Sequence, residues 1–553
     1  MPIDEGAKSN LQTQGLLAGS IIVLLVIRLV AWYNTAIISR DSILYVELAR
    51  DWLSGMPSKA LHHPYHPLYP FLIALFSKVT GFSLEHSGIG VSIAASALTL
   101  PALVILFKNY ARRVILFLAL LFFCVSPYLV RYTADILTEP LYLCLVAWSA
   151  AFFVLAVKSR GVKWGFFFLG GLFVGAAYLT RPEGLVVGVA GGIWLFFFYR
   201  DVPLKKAAAA LVFLMLGWVI VGAPYVFYLH KDTGAWLLTR KKRVGTLISE
   251  MSNKRAVKKS SKPEVSIELP KGISKERAEF LRNRKKWQWE QADRIRQALG
   301  EPHKPLIKPE ASFGQFILTF MKASGKVVVG FLNGMFFPIG IWVVFRFFCL
   351  RRHPWNRMDS FIVVFSVLYW VMLALLLSGY GYVSRRHYAA VAMFWFVWAA
   401  IGFTFVSDRI ALMFKRKLVT PKTVGACLLI PILGMSCFKG TRPYRLEKTG
   451  RKVVGCWIQK RKPKKGKCVV LTSMVRIGYY AGCRAIFLQT IGEEDVNALR
   501  RREIAYVILQ KREMVASPVL MELLKKFGYR EVYRYTSSIG HQDLHVFTYR
   551  RQK

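Results

Sequence analysis

Long apolar runs separated by short polar turns dominate the chain. The runs near 15–33, 86–107, 113–130, 136–157, 163–180, 184–199, 206–229, 327–350, 359–378, 387–407 and 422–438 have the length of membrane-crossing helices. The pattern predicts a polytopic α-helical membrane protein of about 11 spans. Leu16–Trp32 has no small-residue cleavage site after it and reads as an uncleaved first span. Pro67–Val79 is apolar but short and contains Pro67 and Pro70. It is expected to lie along the interface or re-enter, not cross.

Beyond Gly440 the rhythm changes. Short β-like runs (Cys468–Thr472, Ala485–Gln489, Ile504–Gln510, Tyr529–Thr536, Leu544–Tyr549) alternate with helical stretches such as Pro518–Phe527. This predicts a small soluble α/β domain with a partly parallel sheet. No GxGxxG or P-loop occurs in it, so no cofactor is assigned. The chain divides into an N-terminal transmembrane module, 1–230, with its first outer loop at 34–86. A long loop at 231–312, a second transmembrane module at 313–439 and the α/β domain at 440–553 follow. Within the long loop, Ser274–Leu299 is charged and helical in pattern, and Lys254–Lys262 reads as flexible.

Charge orients the runs. With the N-terminus inside, Lys108–Arg113, Lys158–Lys163, Tyr199–Lys206, Arg346–Arg357 and Lys415–Lys422 all fall on the cytoplasmic side, as the positive-inside rule requires. This holds only if Pro67–Val79 does not cross. The formal net charge is +46. Lys231–Glu310 holds 21 Lys and Arg against 10 Asp and Glu, and the tail from Gly440 holds 25 against 9. Such an excess suits anionic membrane lipids or an acidic or phosphorylated partner. No basic–aromatic nucleic-acid module is present, so nucleic acid is not an expected partner. The 8 cysteines form no CxxC or zinc spacing. Cys124, Cys144, Cys349 and Cys427 are expected to be packing residues. Two of Cys456, Cys468 and Cys483 could pair in an oxidising compartment.

The outer face gathers four polar stretches: Ser39–His86, Arg131–Pro140, Thr180–Gly184 and Ser378–Tyr388. Asp41, beside Arg40, either caps a helix over Ser42–Leu53 or serves as a general base kept ionised by Arg40. Glu139 either begins a helix between Thr138 and Pro140 or, with Asp135 four residues before it, orients an acceptor. His62, His63 and His66 are interrupted by Pro64 and Pro67 and do not match a zinc helix motif. With Tyr65 and Tyr69 they better suit contact with a phosphate or sugar. Arg181, and likewise Arg385, Arg386, His387 and Tyr388, pose a choice between interfacial snorkelling and phosphate binding.

The ordered segments RDSILYVELARDW, HPLYPFLIALF, DILTEPLYL, YLTRPEGL and SRRHYAAVAMF, followed by Tyr479–Gly482, resemble the GT-C superfamily of multi-spanning glycosyltransferases that use polyprenyl-phosphate sugars. The likeness is to the bacterial aminoarabinose–lipid A transferases and the protein O-mannosyltransferases. It implies inverting transfer from a lipid-phosphate sugar to a lipid or envelope acceptor at the outer face. It implies a bacterial inner-membrane location with a periplasmic C-terminal domain. The family's first-loop carboxylate falls on Asp41. Its Pro-rich phosphate element falls on His63–Pro70, and its phosphate-binding turns fall on Arg181 and Arg385–Tyr388. A phosphate leaving group calls for cationic side chains rather than a divalent metal, so no metal or other cofactor is expected. This chain departs from the pattern in having Arg40-Asp41 where the mannosyltransferases carry Asp-Glu. It also offers His and Tyr where the aminoarabinose transferase has Lys. A ligase or polymerase using a diphosphate-linked donor is the alternative enzyme. A transporter is the alternative of another class, but no internal repeat is evident and the polar residues gather at span ends instead of the midplane.

Overall fold

The structure, a computed structural model, describes residues 5–549 apart from 109, 111, 158–162, 199–202, 241–289, 292–293, 296–312, 351–352, 381, 415–418, 463–467 and 541. Lys254–Lys262 lies outside the described residues, as does the helix expected over Ser274–Leu299 except at 290–291 and 294–295. The chain forms two compact units. One comprises Met1–Asn34, Leu44–Lys254 and Pro305–Arg442; the other comprises Thr35–Ile43, Arg255–Lys304 and Pro443–Lys553.

The first unit is helical, and every apolar run listed from the sequence forms helix. Seven helices are long and apolar enough to cross a membrane among the described residues, and up to 9 if each of two bent pairs counts as one span. The remaining two runs form the shorter helices Trp164–Thr180 (17 residues) and Leu185–Phe198 (14 residues). The helix over Pro67–Val79 runs Leu68–Thr80, 13 residues. At 1.5 Å per residue it reaches only about 20 Å, short of a bilayer core. The Trp164–Thr180 and Leu204–Thr233 helices touch backbone to backbone. A Cβ on Gly171 would lie 2.2 Å from the Leu214 carbonyl oxygen, and one on Gly217 would lie 2.3 Å from that of Phe168. Small residues at a crossing give this approach in membrane helices.

Two runs expected as single spans are broken. Run 113–130 divides into Arg113–Val125 and Pro127–Thr133 at 53°. Pro127 has no N–H to give the Phe123 carbonyl. Arg28, fully buried, supplies it instead: Nη1 donates to the Cys124 carbonyl at 2.6 Å and Nη2 to that of Phe123 at 3.5 Å. Run 327–350 divides into Ile317–Gly334 and Phe337–Phe348 at 97°. Phe336 sits there at φ 73°, and Pro338 follows it in the next turn. A buried ion pair fixes the segment after this break. Arg346 pairs with Asp359 at 3.1 Å, and Asp359 also accepts from Trp398 at 2.6 Å and Tyr110 at 2.9 Å.

In the second unit, strands β1 (Val469–Thr472), β2 (Arg484–Phe487), β3 (Tyr506–Gln510), β4 (Arg530–Ser537) and β5 (Gln542–Thr548) form one sheet in the order β2-β1-β3-β5-β4. β2, β1 and β3 are parallel; β5 and β4 join antiparallel. The expected partly parallel sheet is present, with β2 ending two residues earlier than the sequence suggests. Side chains alternate between two apolar layers, as the period of a strand requires. Leu471, Val507 and Leu509 enter one layer, and Val470, Tyr506 and Ile508 the other. Ile295, from the long loop, is fully buried in the first layer. Cys468 and Cys483 form a disulfide. Cys124, Cys144 and Cys349 are buried as expected, whereas Cys427 is exposed on its helix.

Candidate active site

Glu139 opens the helix Glu139–Val157, with Pro140 in its first turn. That is the helix start read from the sequence, but the side chain does more than favour the helix dipole. It is 2% exposed, and Arg181 Nη1 donates to its Oε1 at 2.5 Å. Arg181 lies in the extended link between the Trp164–Thr180 helix and the turn Pro182–Gly184. Its Nη2 donates to Glu183 Oε1 at 3.3 Å. Arg386, in the turn Arg385–Tyr388, brings its Nε within 3.8 Å of the same Glu139 oxygen. Oε2 of Glu139 is buried without a hydrogen-bond partner among the described residues. Two guanidinium groups therefore meet one carboxylate that still has an open acceptor site. A buried polar atom in that state calls for an explanation, since most are hydrogen-bonded. Asp135 is buried close by in sequence, with Oδ1 accepting from the Ile136 N–H at 3.1 Å.

Three tyrosines that the sequence does not single out complete this wall. The Arg181 guanidinium lies over the Tyr142 ring at 5.6 Å, and the Tyr142 and Tyr369 hydroxyls are 3.0 Å apart. Tyr45 stands near Glu139 and Arg181. Glu183 is the single acid of the Thr180–Gly184 turn, two residues after Arg181. Tyr142 and Tyr369 sit inside apolar helices and gave no such signal.

The His/Tyr/Pro element separates into two clusters. Tyr45 packs edge-on against Tyr65 at 5.6 Å and Tyr69 at 5.3 Å, and His63 stacks on Tyr65 at 5.3 Å. Tyr69 is fully buried, its hydroxyl 2.7 Å from Ser92 Oγ, so it is a core residue. His66 turns the other way, between Tyr178 and Tyr225, with Nε2 3.2 Å from Thr239 Oγ1. Burial, then the neighbouring His62, hold His63 below its ordinary pKa. At neutral pH it offers a hydrogen bond and not a charge. No three His, Cys, Asp or Glu come together as metal ligands among the described residues. Beside His66 an apolar cleft of about 330 Å³ is lined by Trp52, Pro67, Phe71, Leu179, Val221 and Tyr225, among others.

In the late turn, Arg385 lies over the Tyr128 ring at 5.2 Å, which Lys439 also approaches at 5.1 Å. Lys439 is a cation the sequence reading missed. His387 closes a capping box with Ser384. Tyr388, expected at the phosphate, instead fills a notch in another helix. A Cβ on Gly330 would lie 2.3 Å from its ring, and one on Gly334 would lie 2.7 Å from its Cβ. It is 6% exposed.

Asp41 belongs with Arg40 to the second unit. The helix runs Arg40–Leu53, starting two residues earlier than expected. Ser39 is its cap: the Ser42 N–H donates to Ser39 Oγ at 3.1 Å, and the two hydroxyls are 2.7 Å apart. The capping role considered for Asp41 is thus filled by Ser39. Asp41 stands in the first turn, where the helix dipole favours a carboxylate.

Residues 62–228, which hold His63, Tyr65, His66, Glu139 and Arg181, match the family model described as dolichyl-phosphate-mannose-protein mannosyltransferase. No curated protein matches the chain in sequence. Solved structures resemble it along nearly its whole length. ArnT from Cupriavidus metallidurans, bound to undecaprenyl phosphate, is 11% identical, with TM-score 0.55 over 96% of this chain and 98% of that one. The Archaeoglobus fulgidus oligosaccharyltransferase tethered to an acceptor peptide is 11% identical, with TM-score 0.53 over 96% and 73%. The same organism's AglB with an inhibitory peptide and a dolichol-phosphate is 12% identical, with TM-score 0.50 over 97% and 74%. Residues 62–228 thus match that family model, and the chain along nearly its whole length has the fold of these membrane-protein structures.

Proposed function

We propose that the protein transfers a sugar, with inversion, from a polyprenyl-phosphate donor to a hydroxyl or amine of a lipid or envelope acceptor at the outer membrane face. The observation that carries this reading is the convergence of Arg181 and Arg386 on a buried Glu139 with one unpartnered oxygen. Asp41 takes the acceptor proton as the acceptor heteroatom bonds to the anomeric carbon. The bond from that carbon to the phosphate oxygen breaks, and polyprenyl phosphate leaves. Arg181 and Arg386, with Arg385 beyond them, offset the phosphate charge, as fixed guanidinium donors do well. His63 and Tyr65 add neutral hydrogen bonds. Glu139 orients a substrate hydroxyl through Oε2. The apolar cleft by His66 suits an isoprenoid chain. ArnT bound to undecaprenyl phosphate and AglB bound to a dolichol-phosphate support a lipid-phosphate donor.

The proposed setting is a bacterial inner membrane with the N-terminus cytoplasmic and the α/β domain periplasmic. The Cys468–Cys483 disulfide supports it, because disulfides persist in oxidising compartments. A tag after Lys553 reached only from the cytoplasm would reverse this orientation.

The test is turnover by purified protein given a polyprenyl-phosphate sugar and an envelope extract, with the product identified by mass. Turnover is expected to persist with a divalent-metal chelator present. Arg181→Ala is expected to weaken donor binding. Sugar release from a diphosphate-linked donor alone would move the assignment to a ligase or polymerase. Sugar uptake into vesicles without any glycosylated product would move it to a transporter.

A further inference from the structure

The segment before Asp41 is held, residue by residue, by the far end of the chain. Thr35 forms a β-bridge with Tyr444, and the Ala36 N–H donates to the Tyr444 carbonyl at 3.2 Å. Arg445 Nη1 donates to the Ile37 carbonyl at 3.1 Å. Arg476 Nε donates to the Ile38 carbonyl at 2.8 Å. Ser39 then caps the helix that carries Asp41. Ile37 and Ile38 are themselves buried.

Both arginines show signs of a fixed task. Arg445 adopts φ 61°, a left-handed conformation that an L side chain takes at a cost. Arg476 is 8% exposed and rides on the helix Val475–Ala481. The Cys468–Cys483 disulfide closes the loop that contains that helix. The Arg484 N–H adds a bond to the Cys468 carbonyl at 2.9 Å. The loop is therefore pinned at both ends, and Arg476 projects from between the pins.

We propose that Arg476 and Arg445 are positioning residues for Asp41. The C-terminal domain, through these two side chains, fixes the backbone that aims the base. This rests on the reading of Asp41 as general base. Within the second unit, the α/β domain then sets the backbone that carries Asp41. Positioning at this level governs turnover more than donor affinity, since a misplacement of about 1 Å costs on the order of 100-fold in rate.

The test uses the full-length enzyme and measures kcat, donor KM and melting temperature for Arg476→Ala, Arg476→Lys, Arg445→Gly and Asp41→Asn. Arg476→Ala is expected to lower kcat about 100-fold, with donor KM little changed. Lys, which can still donate to the Ile38 carbonyl, should recover part of that loss. Arg445→Gly removes the grip on Ile37 while relieving the left-handed backbone. It should melt at or above the native temperature and still lose about 10-fold in kcat, a smaller misplacement on the same scale. A purely structural role could not give a more stable enzyme with a lower kcat. If Arg476→Ala does not fold, Arg445→Gly alone decides. Native kcat per folded molecule in Arg445→Gly, with Asp41→Asn impaired, would overturn the positioning role and leave the base intact. Native turnover in Asp41→Asn would instead remove the base, and the positioning role with it.

Discussion

Arg181 Nη1 donates to Glu139 Oε1 at 2.5 Å, and both side chains are all but excluded from solvent. Such a pair is a poor source of net stability but an expensive one to break, because the survivor remains buried and charged. Here Glu183 still touches Arg181 at 3.3 Å. Glu139→Gln is therefore expected to destabilise by about 2 kcal/mol, less than the roughly 3–5 kcal/mol of a fully orphaned charge. The double variant with Arg181→Gln should lose less than the two single losses together. Melting in detergent across the double-mutant cycle checks this. Strict additivity would mean that the two side chains do not act as a pair.

On the proposed mechanism, Ser39 and Asp41, two residues apart, divide structure from chemistry. Ser39→Ala removes the cap and should cost about 1 kcal/mol, with kcat per folded molecule changed only modestly. Asp41→Asn keeps the cap and should leave the melting temperature within a degree or two, while kcat falls by about 100- to 10,000-fold, the range for a lost general base. If Asp41→Asn lowers stability as Ser39→Ala does and spares kcat, the carboxylate is a helix-end feature only.

Much of this was readable from the sequence because polar turns between apolar runs are rare and conspicuous. Asp41, Glu139, Arg181 and Arg386 all stand in such turns. The broken helices were not readable. A hydropathy window averages across Pro127 and Phe336, and only the hydrogen bonds reveal that the Phe123 carbonyl must find Arg28. The helix start was misplaced by two residues because Ser39 and Asp41 are both good caps, and the backbone alone chooses between them. Tyr388 carried a polar hydroxyl in a basic turn, which suggested ligand contact. Its partners are glycines 54 and 58 residues earlier, a pairing that no local pattern displays.

His63 provides a test by pH. Its ordinary pKa is near 6.5, and burial lowers it. A histidine with a depressed folded pKa opposes protonation, so its contribution is present above pH 6.5 and fades only as pH falls below that. A sugar phosphodiester keeps one negative charge throughout this range. His63→Ala should therefore raise donor KM by about 10-fold, roughly one hydrogen bond to a charged group, and by the same factor at pH 8 and pH 6.5. A penalty that grows as pH falls toward 6.5 would show that His63 binds the phosphate as an imidazolium.

Arg28 and Pro127 make a reciprocal pair across the broken helix. Pro127 cannot donate to the Phe123 carbonyl, and Arg28 does so from another helix while also serving Cys124. Arg28→Met fills a similar volume but leaves both carbonyls unserved in an apolar surrounding. It should destabilise by about 2 kcal/mol, within the range for unsatisfied buried acceptors. Pro127→Ala restores an N–H four residues after Phe123. In the Arg28→Met background that substitution should recover part of the loss by letting the helix straighten, whereas in the native background it should gain little. Melting temperatures of the four proteins decide it. Equal effects of Pro127→Ala in both backgrounds would show that Arg28 does not replace the missing backbone donor and that the bend has another cause.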